Sequence, residues 1–279
     1  MKPNITVVDT FDTCIEAIRD TDKRTRLQGI RANVLAAQNK YDTIANAQQS
    51  HLAVEERQIA GANGIVTVSE MTNLYDRHMA RGKSRGRDSY NKIMASAPYG
   101  QCPFCGHLPV STLDHTLPKK GFPALAVTPL NLIPSCKDCN HNKGTVFSGR
   151  ADEQFFNAYY DDVTEHRWLF AEIIEGSPAG IRYFTAPPAA LDQVTEDRLN
   201  FHFRKLKLAS IYASQGARQL QNIRRSLGRL FDSAGVDAVR YDLRERQASC
   251  AEISVNSWDG ALYEAASNNN WYCSGGFRA

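Results

Sequence analysis

Two cysteine pairs, Cys102-Pro-Phe-Cys105 and Cys136-Lys-Asp-Cys139, stand 30 residues apart near the middle of the chain. Four thiols in this arrangement have the ligand spacing of one tetrahedral Zn²⁺ site. An ion held by four thiolates has no open position, so it staples a fold and does no chemistry itself. Loss of any one cysteine is expected to unfold the stapled module. On the cysteines alone, a structural zinc knuckle in a binding protein is an equally good reading. The remaining cysteines are Cys14, Cys250 and Cys273, which makes seven in all. An odd count clustered in this way argues against a disulfide framework and for metal binding in a reducing compartment.

The chain has 279 residues, of which 42% are hydrophobic and 23% charged, as in an ordinary globular protein. Its formal net charge of +3 says little about partners. No apolar run reaches the ~18 residues of a membrane span. The start, Met1-Lys-Pro-Asn-Ile-Thr-Val-Val-Asp9, lacks the apolar stretch of a signal peptide. A cytoplasmic location without membrane association is expected.

Apolar spacing predicts an α+β fold, predominantly helical, in three regions: a helical 1–97, a zinc module over 98–150 and a mainly helical 151–279. Leu27, Ile30, Val34 and Leu35 follow a helical period over 26–41, and Ala60-Gly-Ala-Asn-Gly64 breaks it. A helix capped at Ser69 is expected to reach about Ala80, and Tyr90, Ile93 and Met94 mark a short one before the first cysteine. Arg182–Thr185 reads as an extended segment. Further helices are expected from Thr195 through Ile211, from Arg218 to Phe231 and near Trp258.

The segment between the cysteine pairs carries the groups that phosphodiester hydrolysis needs. That reaction requires an activated water and positive charge at the phosphate and the leaving oxygen. Asp114 and His115 are adjacent. At the end of a hairpin they flank one phosphate, Asp114 as a metal ligand and His115 as the base that takes the water's proton. Asn140 follows the last cysteine and offers a second, neutral oxygen ligand. Hard oxygen donors of this kind suit Mg²⁺. Lys143 lies one helical turn beyond Asn140, where it is expected to bind a phosphate.

The run Asp114-His115-x-x-Pro118, then Asn131-Leu132, then Cys136-x-x-Cys139-Asn140-x-x-Lys143-Gly144 resembles the zinc-stapled HNH endonucleases, which fold as a ββα-metal module. The resemblance implies His115 as general base, and Asp114 and Asn140 as ligands of a catalytic Mg²⁺ or Mn²⁺. It further implies that Asn131 holds the loop that orients His115. The last residue of the motif is Asn in place of His, which favours a hard cation. The wider segments Leu113–Lys119, Phe122–Ala126 and Pro129–Cys136 look like HNH proteins of bacterial antiphage systems of the Septu-like and retron-associated kinds. That likeness implies a nuclease effector acting on DNA together with an ATPase partner. The alternatives are an HNH ribonuclease acting on structured RNA, or a non-catalytic zinc module that binds nucleic acid or protein.

Outside the module, Arg81, Lys83, Arg85 and Arg87 form the strongest candidate contact with a nucleic-acid backbone, against the reading of a solvated loop. Lys119 belongs to the same candidate set. His141 is turned ~100° from Asn140 on a helix and is a poor substitute ligand. The Arg218–Arg229 face reads as solvated or partner-facing, and the tryptophans and Tyr159-Tyr160 as core or interface aromatics.

Overall fold

The computed structural model describes residues 2–56 and 58–279. Its elements, in chain order, begin with α1 (Val7–Glu16), α2 (Thr21–Gly29), α3 (Arg31–Asn46), β1 (Gln58–Gly61), β2 (Gly64–Thr67), α4 (Val68–Asn73) and α5 (Arg87–Met94). The middle holds β3 (Thr112–His115), β4 (Leu132–Ser135) and α6 (Lys137–Lys143). The chain closes with β5 (Leu169–Ile174), β6 (Gly180–Thr185), α7 (Gln193–Lys205), α8 (Leu208–Ile253), α9 (Trp258–Asn268) and α10 (Asn270–Cys273). The fold is α+β and mostly helical, and its strands form three separate antiparallel hairpins. Among the described residues, no helix is long and apolar enough to cross a membrane.

Two compact units divide the chain, residues 1–161 and 162–279. In the first, α1–α5 and the β3–β4 hairpin share one core, in which Phe11, Leu27, Met71 and Ile93 pack with Leu113 and Leu132. A second apolar cluster joins Tyr41 of α3 to Leu117, Phe122 and Leu125 of the β3–β4 connection. Buried hydroxyls tie the hairpin in further: Tyr75 donates to the Leu113 carbonyl (3.3 Å) and Tyr159 to that of Leu132 (2.7 Å). The central module and the N-terminal helices therefore share one compact unit. In the second unit α8 crosses β6, where a Cβ at Gly216 would stand 2.7 Å from the Tyr183 hydroxyl.

Several local expectations are corrected. The segment 26–41 is two helices, because the chain turns at Ile30 (φ −101°, ψ 5°) where Gly61 packs against the Gly29 carbonyl. The Gly61–Gly64 break is the turn of the β1–β2 hairpin, with Gly61 opposite Gly64. The cap of α4 is Thr67 and not Ser69: its hydroxyl accepts from the Glu70 amide while the Glu70 carboxylate accepts from the Thr67 amide, a reciprocal capping box. Lys207, at φ 57°, divides α7 from α8 within the helix expected through Ile211, and the 218–231 segment is an inner stretch of α8. Residues 182–185 lie in β6, paired with β5.

Candidate metal centre and active site

The cysteines come together first. The four Sγ atoms of Cys102, Cys105, Cys136 and Cys139 lie within 4.8 Å of one another, all buried. A tetrahedral Zn–S₄ centre with bonds near 2.3 Å needs sulfurs about 3.8 Å apart, so the cluster fits that ion. Gly106, at φ 59°, lets the first pair turn tightly, and its amide donates to the Cys102 carbonyl (2.7 Å). The amides of Leu108 and Cys139 point at Cys105 Sγ (3.4 Å) and Cys136 Sγ (3.3 Å), as suits thiolates.

The second cysteine pair fixes the start of α6, since Cys136 is its N-cap. Strands β3 and β4 and helix α6 then follow as ββα, with Asp114 opposite Ile133 and His115 opposite Leu132. A cavity of about 270 Å³ opens beside the hairpin, lined by Asp114, His115, Asn140, Lys119, Lys120 and Tyr75. Residues 26 apart in sequence are thereby gathered around one space, because α6 packs back on β3.

His115 is only 9% exposed. Its Nε2 donates to the Ala126 carbonyl (2.8 Å), which leaves Nδ1 as the nitrogen with the free lone pair. Tyr75 packs edge-on against the imidazole, with centroids 4.5 Å apart. Burial, together with Lys119 and Lys143, drives the His115 pKa down to about 3 against the bond from Ala126, so the ring is neutral at pH 7. Asn131 is fully buried and accepts from the Leu117 amide (2.8 Å) while donating to the carbonyls of Leu117 (3.0 Å) and Leu125 (3.2 Å). It thus ties both ends of the loop that delivers Ala126.

Burial raises the Asp114 carboxyl, and the Lys143 ammonium, 3.0 Å away, opposes the rise. Asn140 Nδ2 faces Thr112 Oγ1 (3.5 Å), which directs the amide oxygen elsewhere. Asp114 and Asn140 line the same cavity, and a carboxylate and an amide oxygen are both hard donors.

The remaining expected residues divide. Lys143 is 1% exposed, its ammonium held by Asp114 and by the His115 carbonyl (2.7 Å), so it is placed as an internal counter-charge and not at a surface for phosphate. Lys119 stays at the cavity, paired with Asp76 and 4.6 Å above the Tyr75 ring. Arg81, Lys83 and Arg85 are exposed, whereas Arg87 donates to the Ala80 carbonyl (2.5 Å) and stacks over Tyr90. His141 is exposed. Tyr75 and the Ala126 carbonyl were not legible beforehand, since a backbone oxygen and an aromatic 40 residues upstream of His115 leave no local signature.

Protein ea31 of Escherichia phage lambda is 30% identical to this chain over 164 residues, covering 57% of this chain and 55% of that protein. The Septu protein PtuB of Bacillus thuringiensis is 29% identical over 115 residues, covering 39% of this chain and 44% of that protein. The chain thus spans about half the length of the curated relatives it matches. No family model and no solved structure matches it.

Proposed function

We propose that this chain is a metal-dependent HNH endonuclease that hydrolyses phosphodiester bonds in DNA, as the effector of an antiphage defence system acting with an ATPase partner. The observation that carries the chemistry is the shared cavity: a neutral His115 with its lone pair on Nδ1, beside the oxygen donors of Asp114 and Asn140. His115 Nδ1 takes the proton of the attacking water as the new phosphorus–oxygen bond forms and the bond to the 3′ oxygen breaks. The products are a 5′ phosphate and a 3′ hydroxyl. Asp114 and Asn140 would hold a divalent cation, which when bound would supply positive charge for the phosphate and the leaving oxygen. Burial makes the His115 imidazole a weak base, and the negative charge of a bound phosphodiester raises its basicity. The defence role and the ATPase partner rest on the likeness to the Septu protein PtuB.

The test is cleavage of plasmid, single-stranded DNA and total RNA with Mg²⁺ or Mn²⁺, by wild type and by His115→Ala. DNA cleavage by wild type alone, with the variant folded and zinc-loaded, is the expected result. Cleavage of RNA only would make the chain a ribonuclease. Cleavage equal in both proteins would remove His115 from the chemistry.

A further inference from the structure

Residues Leu74–Met79 form a single π-helical turn, a wide conformation that is rare and concentrates at functional sites. Tyr75 and Arg77 are two positions apart, so their side chains leave the turn on roughly opposite sides. Tyr75 lines the His115 cavity, while Arg77 and His78 line a second, larger cleft of about 760 Å³. Arg19, between α1 and α2, and Arg24, on α2, enter that cleft from one side, and Arg81, Lys83 and Arg85 from the loop after the π turn.

Six cations therefore face one carboxylate, Glu16, which lies 3.5 Å from Arg85. The other five have no carboxylate partner among the described residues. Burial and the charges of Lys23 and Arg77 hold the His78 imidazole below its ordinary range, in keeping with a positive local field.

The basic loop is built, not free. Ser84 Oγ donates to the carbonyls of Met79 (3.0 Å) and Arg81 (2.7 Å), and the Gly86 amide donates to that of His78 (3.0 Å). A Cβ at Gly86 would stand 2.6 Å from that same His78 oxygen and 2.7 Å from Cys14 Sγ, so the loop lies directly on the π turn and α1. Fixed backbone with unpaired charge is the arrangement that binds an anion at low ordering cost.

We infer that this cleft binds the sugar-phosphate backbone of a nucleic acid at phosphates outside the scissile one, with the π turn as the wall between the two sites. The register rests on the nuclease reading. A helix with its side chains is about 10–12 Å across, which corresponds to about three phosphates at ~3.4 Å of rise per strand. Six cations in an open cleft exceed what one phosphate needs, so a polyanion is the fitting ligand.

The experiment is fluorescence anisotropy of a labelled 30-nucleotide duplex and its single strand. It uses the full-length zinc-loaded protein carrying His115→Ala, without added divalent cation, over a range of salt. Adding Arg24→Ala and Lys83→Ala is expected to raise Kd about tenfold and to flatten the log–log salt slope by about 2. The pair Arg225→Ala and Arg229→Ala removes the same charge from the 162–279 unit and is expected to leave both unchanged. Unchanged binding in the cleft variant, or equal loss in both variants, would overturn the cleft. Displacement of the probe by 1 mM inorganic phosphate at constant ionic strength would also overturn it, as a site for a single anion. Cleft-dependent binding by a wild type that cuts nothing would keep the cleft and remove the nuclease reading. Undiminished cleavage by the Arg24→Ala/Lys83→Ala protein with His115 intact, at unchanged KM, would do the reverse.

Discussion

Lys143 Nζ lies 3.0 Å from Asp114 Oδ2, and both side chains are buried. The ammonium also donates to the His115 carbonyl, so one cation from α6 restrains both residues at the end of β3. A carboxylate left alone at this depth loses its counter-charge as well as its water.

Lys143→Met is expected to cost about 3–5 kcal/mol, because it strands a buried carboxylate. Urea unfolding followed by far-UV circular dichroism measures it. The double variant with Asp114→Asn should recover a large part of the loss, since the orphan charge is then gone. A single-variant loss below about 1 kcal/mol would mean that the pair does not sustain the fold.

Asn131→Ala leaves the Leu117 amide and the carbonyls of Leu117 and Leu125 without their partner. At about 1–3 kcal/mol for each unsatisfied buried group, partly relieved by relaxation, a loss near 3 kcal/mol is expected. Activity should fall further than stability explains, because the same loop aims Ala126 at His115. An Asn131→Ala protein with wild-type kcat below its melting temperature would contradict the positioning role.

One zinc per chain is expected by elemental analysis. Cys136→Ala should lose both the metal and the start of α6, since Cys136 is a cluster member and the N-cap at once. Retention of stoichiometric zinc by that variant would place the ion elsewhere.

Stability should depend on pH through His115. Its folded pKa of about 3 lies below the unfolded value of about 6.5. Between these values the unfolded chain binds a proton that the folded chain does not. The contribution is therefore complete above pH 6.5 and shrinks as pH falls toward 3. At pH 5 it amounts to ~2 kcal/mol lost relative to pH 7.5. Chemical unfolding at the two pH values should show wild type losing about that much more than His115→Gln. Equal losses would mean that the ring is solvated in the folded state.

Much of the candidate site could be read from local spacing. A CxxC pair can meet one ion because two residues between thiols suffice to close a turn, and the order Asp114-His115, Asn131, Asn140 marks the intervening groups. Helices with a clear apolar stripe, such as α5, were equally legible. The β1–β2 and β5 strands were not, because strands of four to six residues carry too few alternations to stand out from a helical background. The break at Ile30 was hidden for another reason: Gly61, 31 residues further on, packs into it.

The sequence by itself determined the ligand set of the cysteine cluster and the residue types beside it, since chelate spacing and motif order are written along the covalent chain. Tertiary structure alone decided that Lys143 turns inward to Asp114, that Ala126 supplies the carbonyl for His115, and that Arg19 and Arg24 face the 81–85 loop. Those relations span 11 to more than 60 residues and depend on which surfaces the core brings together. Packing sets them, and packing has no period along the chain.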